Sequence, residues 1–215
     1  FVHHVAGGIN VETVIALVQD ELLGACERLT TDTPPPAGLS SAPPPPGAPV
    51  RCAGIGYLRA IDHDALADWA AGNGAVLVVL ARPGDYLHDA ARVAEVLPER
   101  LVPAAAAAMR QAMTLGPRPA AAQDLEFAVR QLVEVAVRAL SPGINDPFTA
   151  ITVLDRLGVV LCGMAGRHLP AGVLLRDGAV VLHRRGTTYV GLCDAMFHMI
   201  RQAGAGSAAV LIRLV

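Results

Sequence analysis

No lysine occurs in this chain: all 17 basic residues are arginine. That absence removes Schiff-base chemistry, a P-loop lysine and any attachment point for biotin or lipoate. Charge is scarce as well. Charged residues make up 17% of the sequence, below the roughly 25% of an average soluble domain, so an unusual share of the surface is expected to be apolar or small. Such a surface favours assembly with something else. The formal net charge of -2 gives no electrostatic ground for binding phosphate backbones, and no nucleic-acid partner is expected. Cys26, Cys52, Cys162 and Cys193 include no C-x-x-C pair, so neither a zinc knuckle nor a redox dithiol is indicated; reduced thiols in a cytoplasmic domain are the expectation. No segment reaches the roughly 18 to 20 consecutive apolar residues that span a bilayer. There is no signal peptide, the first residue is not methionine, and the sequence stops inside the apolar run "SAAVLIRLV". Both ends are read as cut from a longer protein.

What is present is hydrophobic: 215 residues, 53% of them apolar but only 4% aromatic, enough for one large domain or two small ones with a real core. "INVETVIALVQDELLGACERL" places Val11, Val14, Ile15, Val18, Leu22, Cys26 and Leu29 at helical spacing behind the candidate N-cap Asn10, which defines an amphipathic helix in the first segment, residues 1–29. Residues 30–50 hold half of the 16 prolines and are read as an extended linker that sustains neither helix nor central strand.

Residues 51–102 are expected to form a small β-rich subdomain. Ile55, Tyr57 and Ile61 suggest a strand, Asp62 caps a short helix carrying Leu66, Trp69 and Ala70, "AVLVVLA" is a buried strand, and "YLH" and "RVAEVL" follow a Pro-Gly-Asp turn. The pattern "PGDYLHDAARVAEV" is similar to the hammerhead half of a biotinyl/lipoyl-like barrel-sandwich, with Asp89 and Ala90 where the second turn usually has glycine. Residues 103–215 are read as a helical subdomain. It starts with a helix at Pro103 and continues with "PAAAQDLEFAVRQLVEVAVRAL", whose Phe127, Leu132, Ala136 and Leu140 lie near one face; a hairpin over 173–184 turns at Asp177-Gly178, and a final helix has Leu192, Met196, Phe197 and Ile200 for its core. The fold class is therefore α+β: a small hammerhead or barrel-sandwich-like β region, then a mainly helical region with one hairpin.

The joint "LSPGINDP" is a stop followed by a start. Pro142 ends one helix, Gly143 is suited to a left-handed C-terminal residue, Asp146 is a good N-cap and Pro147 fits the first turn of the next helix. The joint brings helix N–H groups close to Ser141, Asn145 and Thr149, so these three, Asp146, and Arg130 and Gln131 on the preceding helix are the candidate ligand-binding residues. A capped turn explains the polar residues of the joint without a ligand. No catalytic residue is indicated. Asp62, His63, Asp64 and His88, with Asp85 and Asp89, are weak metal candidates: their spacing matches no ligand motif, and neither metal nor cofactor is expected.

"FVHHVAGGI", "GYLRAIDHDAL", "RPGDYLH", "QDLEFAVRQLVEVAVRALSPGINDPFTAITVLDRLG" and "AMFHMIRQAGAGSAAVLIRL", in that order, resemble the soluble C-terminal region of an uncharacterised family of bacterial predicted multi-pass membrane proteins. "ALSPGINDPFTA" is the most specific element. The resemblance covers nearly the whole chain apart from the proline-rich segment. It implies N-terminal transmembrane helices outside this sequence, attachment to the inner membrane through them, and a cytoplasmic position for this part. The leading expectation is a non-catalytic domain that oligomerises the protein, docks a partner or regulates the membrane part, a channel or transporter being one concrete version. Its competitor is a membrane-tethered metal-dependent hydrolase or a small-ligand sensor with its site at the joint.

Overall fold

The computed structural model describes residues 10–35, 46–119, 123 and 125–215. Residues 1–9, with His3 and His4 of "FVHHVAGGI", residues 36–45 of the proline-rich stretch, and 120–122 and 124 within "PAAAQD" lie outside the described residues. The chain divides into two compact units. One comprises residues 1–33, 125–168 and 187–215; the other comprises 34–124 and 169–186. The units are thus interleaved along the sequence rather than consecutive, and the hairpin read with the helical part belongs to the β unit.

In the β unit, "VLVV" at β3 (Val76–Val79) is a short apolar β-branched run buried along most of its length, the pattern of a central strand covered on both faces. It pairs antiparallel with β5 (Arg92–Leu97) and parallel with β8 (Ala179–Arg184). The five-stranded sheet is completed by β1 (Ala48–Arg51) and β7 (Val173–Arg176), in the order β1-β5-β3-β8-β7. β1 falls at the end of the expected linker. It is an edge strand, where the missing N–H of Pro49 removes nothing from the interior of the ladder. The β7–β8 hairpin turns at Asp177 and Gly178 with φ of 51° and 79°, the double positive φ of a type I' turn.

A second sheet has the order β4-β2-β6, formed by β4 (Tyr86–Leu87), β2 (Gly56–Ile61) and β6 (Met113–Gly116). The strands flanking the Pro-Gly-Asp turn and its successor therefore go to different sheets, β4 to the small one and β5 to the large one. In the second turn Ala90 stands at φ 67°, the left-handed conformation that glycine accepts more readily. α2 (His63–Gly72) is capped by Asp62, whose carboxylate accepts from the Ala65 N–H at 2.9 Å. α3 (Val102–Ala112) starts with Pro103 in its first turn and ends directly in β6, a strand where the helical reading ran on to Met113. Leu58, Ile61, Leu66, Leu77, Met109 and Leu182 are fully buried in one core.

The helical unit packs α1 (Val11–Leu29), α4 (Leu125–Ala139), α5 (Pro147–Gly163), α6 (Tyr189–Ala203) and α7 (Ala208–Leu214), with α4 against α1, α5 and α6. The buried face of α4 is Leu125, Ala128, Val129, Leu132, Val133, Ala136 and Ala139. Phe127 and Leu140 are only half-buried. The face is turned from the expected one because small residues at helical spacing let three neighbours approach, and a central helix needs a stripe wide enough for all of them. α6 buries Leu192, Met196 and Ile200, with Phe197 at the margin. The end of the chain, read as an unfinished apolar run, forms α7 and buries Val210 alone.

One side chain locks the end of α1. Arg167 donates from Nε to the Thr30 hydroxyl (2.5 Å), from Nη1 to Asp32 (2.8 Å), and from Nη2 to the carbonyls of Thr30 (3.1 Å) and Glu27 (3.2 Å). The last carbonyls of a helix have no intrahelical donor, and the planar guanidinium reaches two of these late ones at once. The backbones of Thr31 and His168 add two reciprocal hydrogen bonds beside it.

Candidate functional site

The corner between α4 and α5 is built largely from its own atoms. α4 closes with the N–H of Ser141 donating to Arg138 O, and the Ser141 carbonyl then accepts from both Ile144 and Asn145 (3.1 and 2.8 Å). Asp146 N–H reaches back to Ala139 O at 2.8 Å. Asp146 caps α5: Oδ1 accepts from Phe148 N–H (3.1 Å) and Thr149 N–H (3.2 Å), while Oδ2 accepts from the Thr149 hydroxyl at 2.6 Å. The Thr149 hydroxyl, with the backbone N–H groups of Thr149 and Phe148, holds the Asp146 carboxyl below the usual carboxylate range.

The left-handed residue of the corner is Asn145, at φ 50°, and not Gly143. Asparagine is one of the few non-glycine residues that enter that region readily. Two polar groups are not used in the bend. Among the described residues the Ser141 hydroxyl and the exposed Asn145 amide have no protein hydrogen-bond partner. Arg130 and Gln131 lie in the first half of α4, roughly 12 Å or more along the helix axis from its end at 1.5 Å per residue. The structure therefore brings Ser141, Asn145, Asp146 and Thr149 together and leaves Arg130 and Gln131 on another part of the same helix.

The weak metal candidates are occupied elsewhere. Asp62 caps α2; Asp64 and Asp68 bind Arg176 at 3.0 and 2.6 Å; Asp85 accepts from Arg82 N–H; Asp89 accepts from Gly54 N–H; His88 Nδ1 lies 2.8 Å from Asp89 O. Among the described residues no group of three or more His, Cys, Asp or Glu side chains is placed to hold a metal ion.

His63, at the first position of α2, has a distinct environment. Burial, and after it the positive charge of Arg184, push its imidazole down to about 4 against the opposing pull of Asp64 and Asp62. Burial likewise lowers Arg184, with Asp64 opposing. Nothing local in "AIDHDAL" marks His63 as half-buried beside a positive charge, because Arg184 comes from β8, more than a hundred positions later.

Sequence reasoning also passed over the two side chains that the corner presents outward. Ile144 is 62% exposed and Phe148 77% exposed. The signal was available: each is a large apolar residue set among proline, glycine and cap residues, where no helical stripe claims it.

Two interleaved units, one with two sheets and one of packed helices joined at a self-capped corner, make this an α+β protein. The chain belongs to the family described as "Predicted membrane protein (DUF2254)", whose model matches residues 1–215. It is 30% identical over 181 residues to "Uncharacterized protein MT1328" of Mycobacterium tuberculosis (strain CDC 1551 / Oshkosh), covering 80% of this chain and 35% of the relative. "Uncharacterized protein Mb1321c" of Mycobacterium bovis (strain ATCC BAA-935 / AF2122/97) is similar with the same identity and coverage. The chain thus spans about a third of the length of the curated relatives it matches, 35%. No described helix is long and apolar enough to cross a membrane. No solved structure matches the chain.

Proposed function

We propose that this chain is a non-catalytic domain of an inner-membrane protein, on the cytoplasmic side, whose helical unit serves assembly: joining copies of the protein, docking a partner, or regulating the membrane part. A channel or transporter with a regulatory assembly is the concrete version. Membership of a predicted membrane-protein family supports the setting. The observation that carries the assembly role is where the exposed apolar side chains lie. Of the thirteen large hydrophobic residues exposed among the described ones, only Ile55 and Tyr86 belong to the β unit; the other eleven lie on the helical unit. Single exposed apolar residues are ordinary on any surface, and it is their concentration on one of the two units that supports reading this unit as the one that meets a partner.

The test is mass. Light scattering of the full-length protein in lipid nanodiscs, and sedimentation of the 215-residue chain at rising concentration, should both show self-association or capture of a stoichiometric partner. A strict monomer throughout, with no partner retained, would overturn the assembly role. A small-ligand sensor at the corner is a second reading, favoured by the Ser141 hydroxyl and the Asn145 amide. It predicts a ligand-dependent rise in Tm that Asn145→Ala abolishes.

A further inference from the structure

We propose that the Ile144–Phe148 corner is a contact point with a lipid surface, its two exposed apolar side chains entering the acyl boundary of a bilayer. The obstacle to placing a loop in hydrocarbon is its backbone, since each unpaired N–H or C=O must be stripped of water. At this corner the donors are almost completely accounted for. Ser141, Ile144, Asn145 and Asp146 donate to backbone carbonyls, and Phe148 and Thr149 donate to the Asp146 carboxylate. Pro142 and Pro147 have no N–H to satisfy. Gly143 alone of residues 141–149 keeps an undonated N–H among the described residues. The carbonyls of Pro142, Gly143, Ile144 and Asn145, the Ser141 hydroxyl and the Asn145 amide have no protein partner among the described residues, so this backbone stays in the hydrated headgroup layer while only the isoleucine and phenylalanine side chains reach the acyl boundary. An aromatic beside an aliphatic is also the pairing that an interfacial contact uses.

The charges nearby are internally engaged. Asp146 accepts three hydrogen bonds, and Arg138 pairs with Glu134 one turn earlier on α4. Nothing at the tip calls for anionic headgroups, so the surface it fits is a zwitterionic one, and the contact should be insensitive to salt. Two further facts make lipid the occupant. The family is one of predicted membrane proteins, and roughly two thirds of the relatives' length lies outside the matched region, which covers 35% of them. This inference rests on family membership and not on the assembly role, so either can fail alone.

The experiment uses the 215-residue chain, tethered through an N-terminal hexahistidine tag to phosphatidylcholine vesicles that contain a nickel-chelating lipid. In a Trp69→Phe background, a Phe148→Trp reporter should shift its emission to the blue on the vesicles and be quenched by brominated phosphatidylcholine, at low and high salt alike. Without the tether and with native Phe148, Ile144→Ser and Phe148→Ser should each lower partitioning onto phosphatidylcholine vesicles on the order of ten-fold. Val190→Ser, which alters a residue 71% exposed on α6, should leave it unchanged. Circular dichroism of each variant confirms that the helices are intact.

An emission that stays that of indole in water while the tethered chain covers the vesicles would overturn the proposal. So would equal losses from Val190→Ser, or a requirement for anionic lipid. A blue shift that appears without lipid as concentration rises, together with a doubling of mass, would assign the corner to a second copy of the chain and overturn it as well.

Discussion

Acidification should loosen the β unit through one residue, His63. In the unfolded chain its imidazole takes a proton near 6.5, whereas in the folded chain burial and the Arg184 charge hold it neutral down to about 4. Between those values the unfolded state binds the extra proton and the folded state does not, so stability falls as pH falls. The contribution is complete above the unfolded value and lost progressively down to the folded one. At about 1.4 kcal/mol per pH unit, going from neutral pH to about pH 4.5 costs roughly 2 to 3 kcal/mol, a large fraction of the stability of a small domain. Urea denaturation reads this directly. Trp69, the chain's one tryptophan, sits on the same helix as His63 and reports unfolding of the β unit. His63→Gln removes the titration and keeps a neutral side chain, so its stability should fall less over the same range, by about 2 kcal/mol. Carboxylates that titrate in this range contribute equally to both proteins and cancel. Curves for the two proteins that run parallel from neutral pH to about pH 4.5 would refute the reasoning, and would mean that water or a carboxylate reaches the folded imidazole.

Three further outcomes follow from named contacts. Ala90 holds a left-handed conformation, so Ala90→Gly should stabilise by about 1 kcal/mol, seen as a Tm rise of roughly 2 to 4 °C; no rise would mean that the turn relaxes around alanine. Arg167→Leu removes four hydrogen bonds that close the end of α1 and should cost about 2 kcal/mol in urea, while Arg167→Lys should recover little because an ammonium cannot span the same acceptors. Asp146 is held below the ordinary carboxylate range; its contribution to folding is present above the unfolded value and lost as pH falls through the folded one. Asp146→Ala should therefore lower the Tm at neutral pH and make little difference in strong acid.

The parts of this fold that depend on neighbours in sequence could be read from it. Asp62 and Asp146 sit where a cap must sit, Asp177-Gly178 fits only one kind of hairpin turn, and the apolar run of β3 has the length and β-branching of a buried strand. Long-range pairing was out of reach. β8 joins β3 in parallel from about a hundred residues away, which assigns the hairpin to the β unit, and no local pattern announces such a partner. β6 was hidden because "RQAM" continues the helical composition of α3, and only pairing with β2 makes Met113–Gly116 a strand. At the corner the capping chemistry was legible, but the left-handed role passed from Gly143 to Asn145, and Arg130 and Gln131 proved too far along α4 to share its surroundings. The Arg167 clamp joins residues more than 130 apart and could not be inferred from either end.

The claim on which the reading of the α4–α5 corner rests, as a bend and not a ligand site, is that it is held by its own cap. Hydrogen exchange at the amides of Phe148 and Thr149 tests it most directly. With the Asp146 carboxylate accepting both N–H groups, they should be protected in the chain alone, and Asp146→Ala should erase that protection while the middle of α5 is unaffected. Amides that exchange freely in the native chain, or that become protected only when an ion or small molecule is added, would contradict the account and make the corner a binding site.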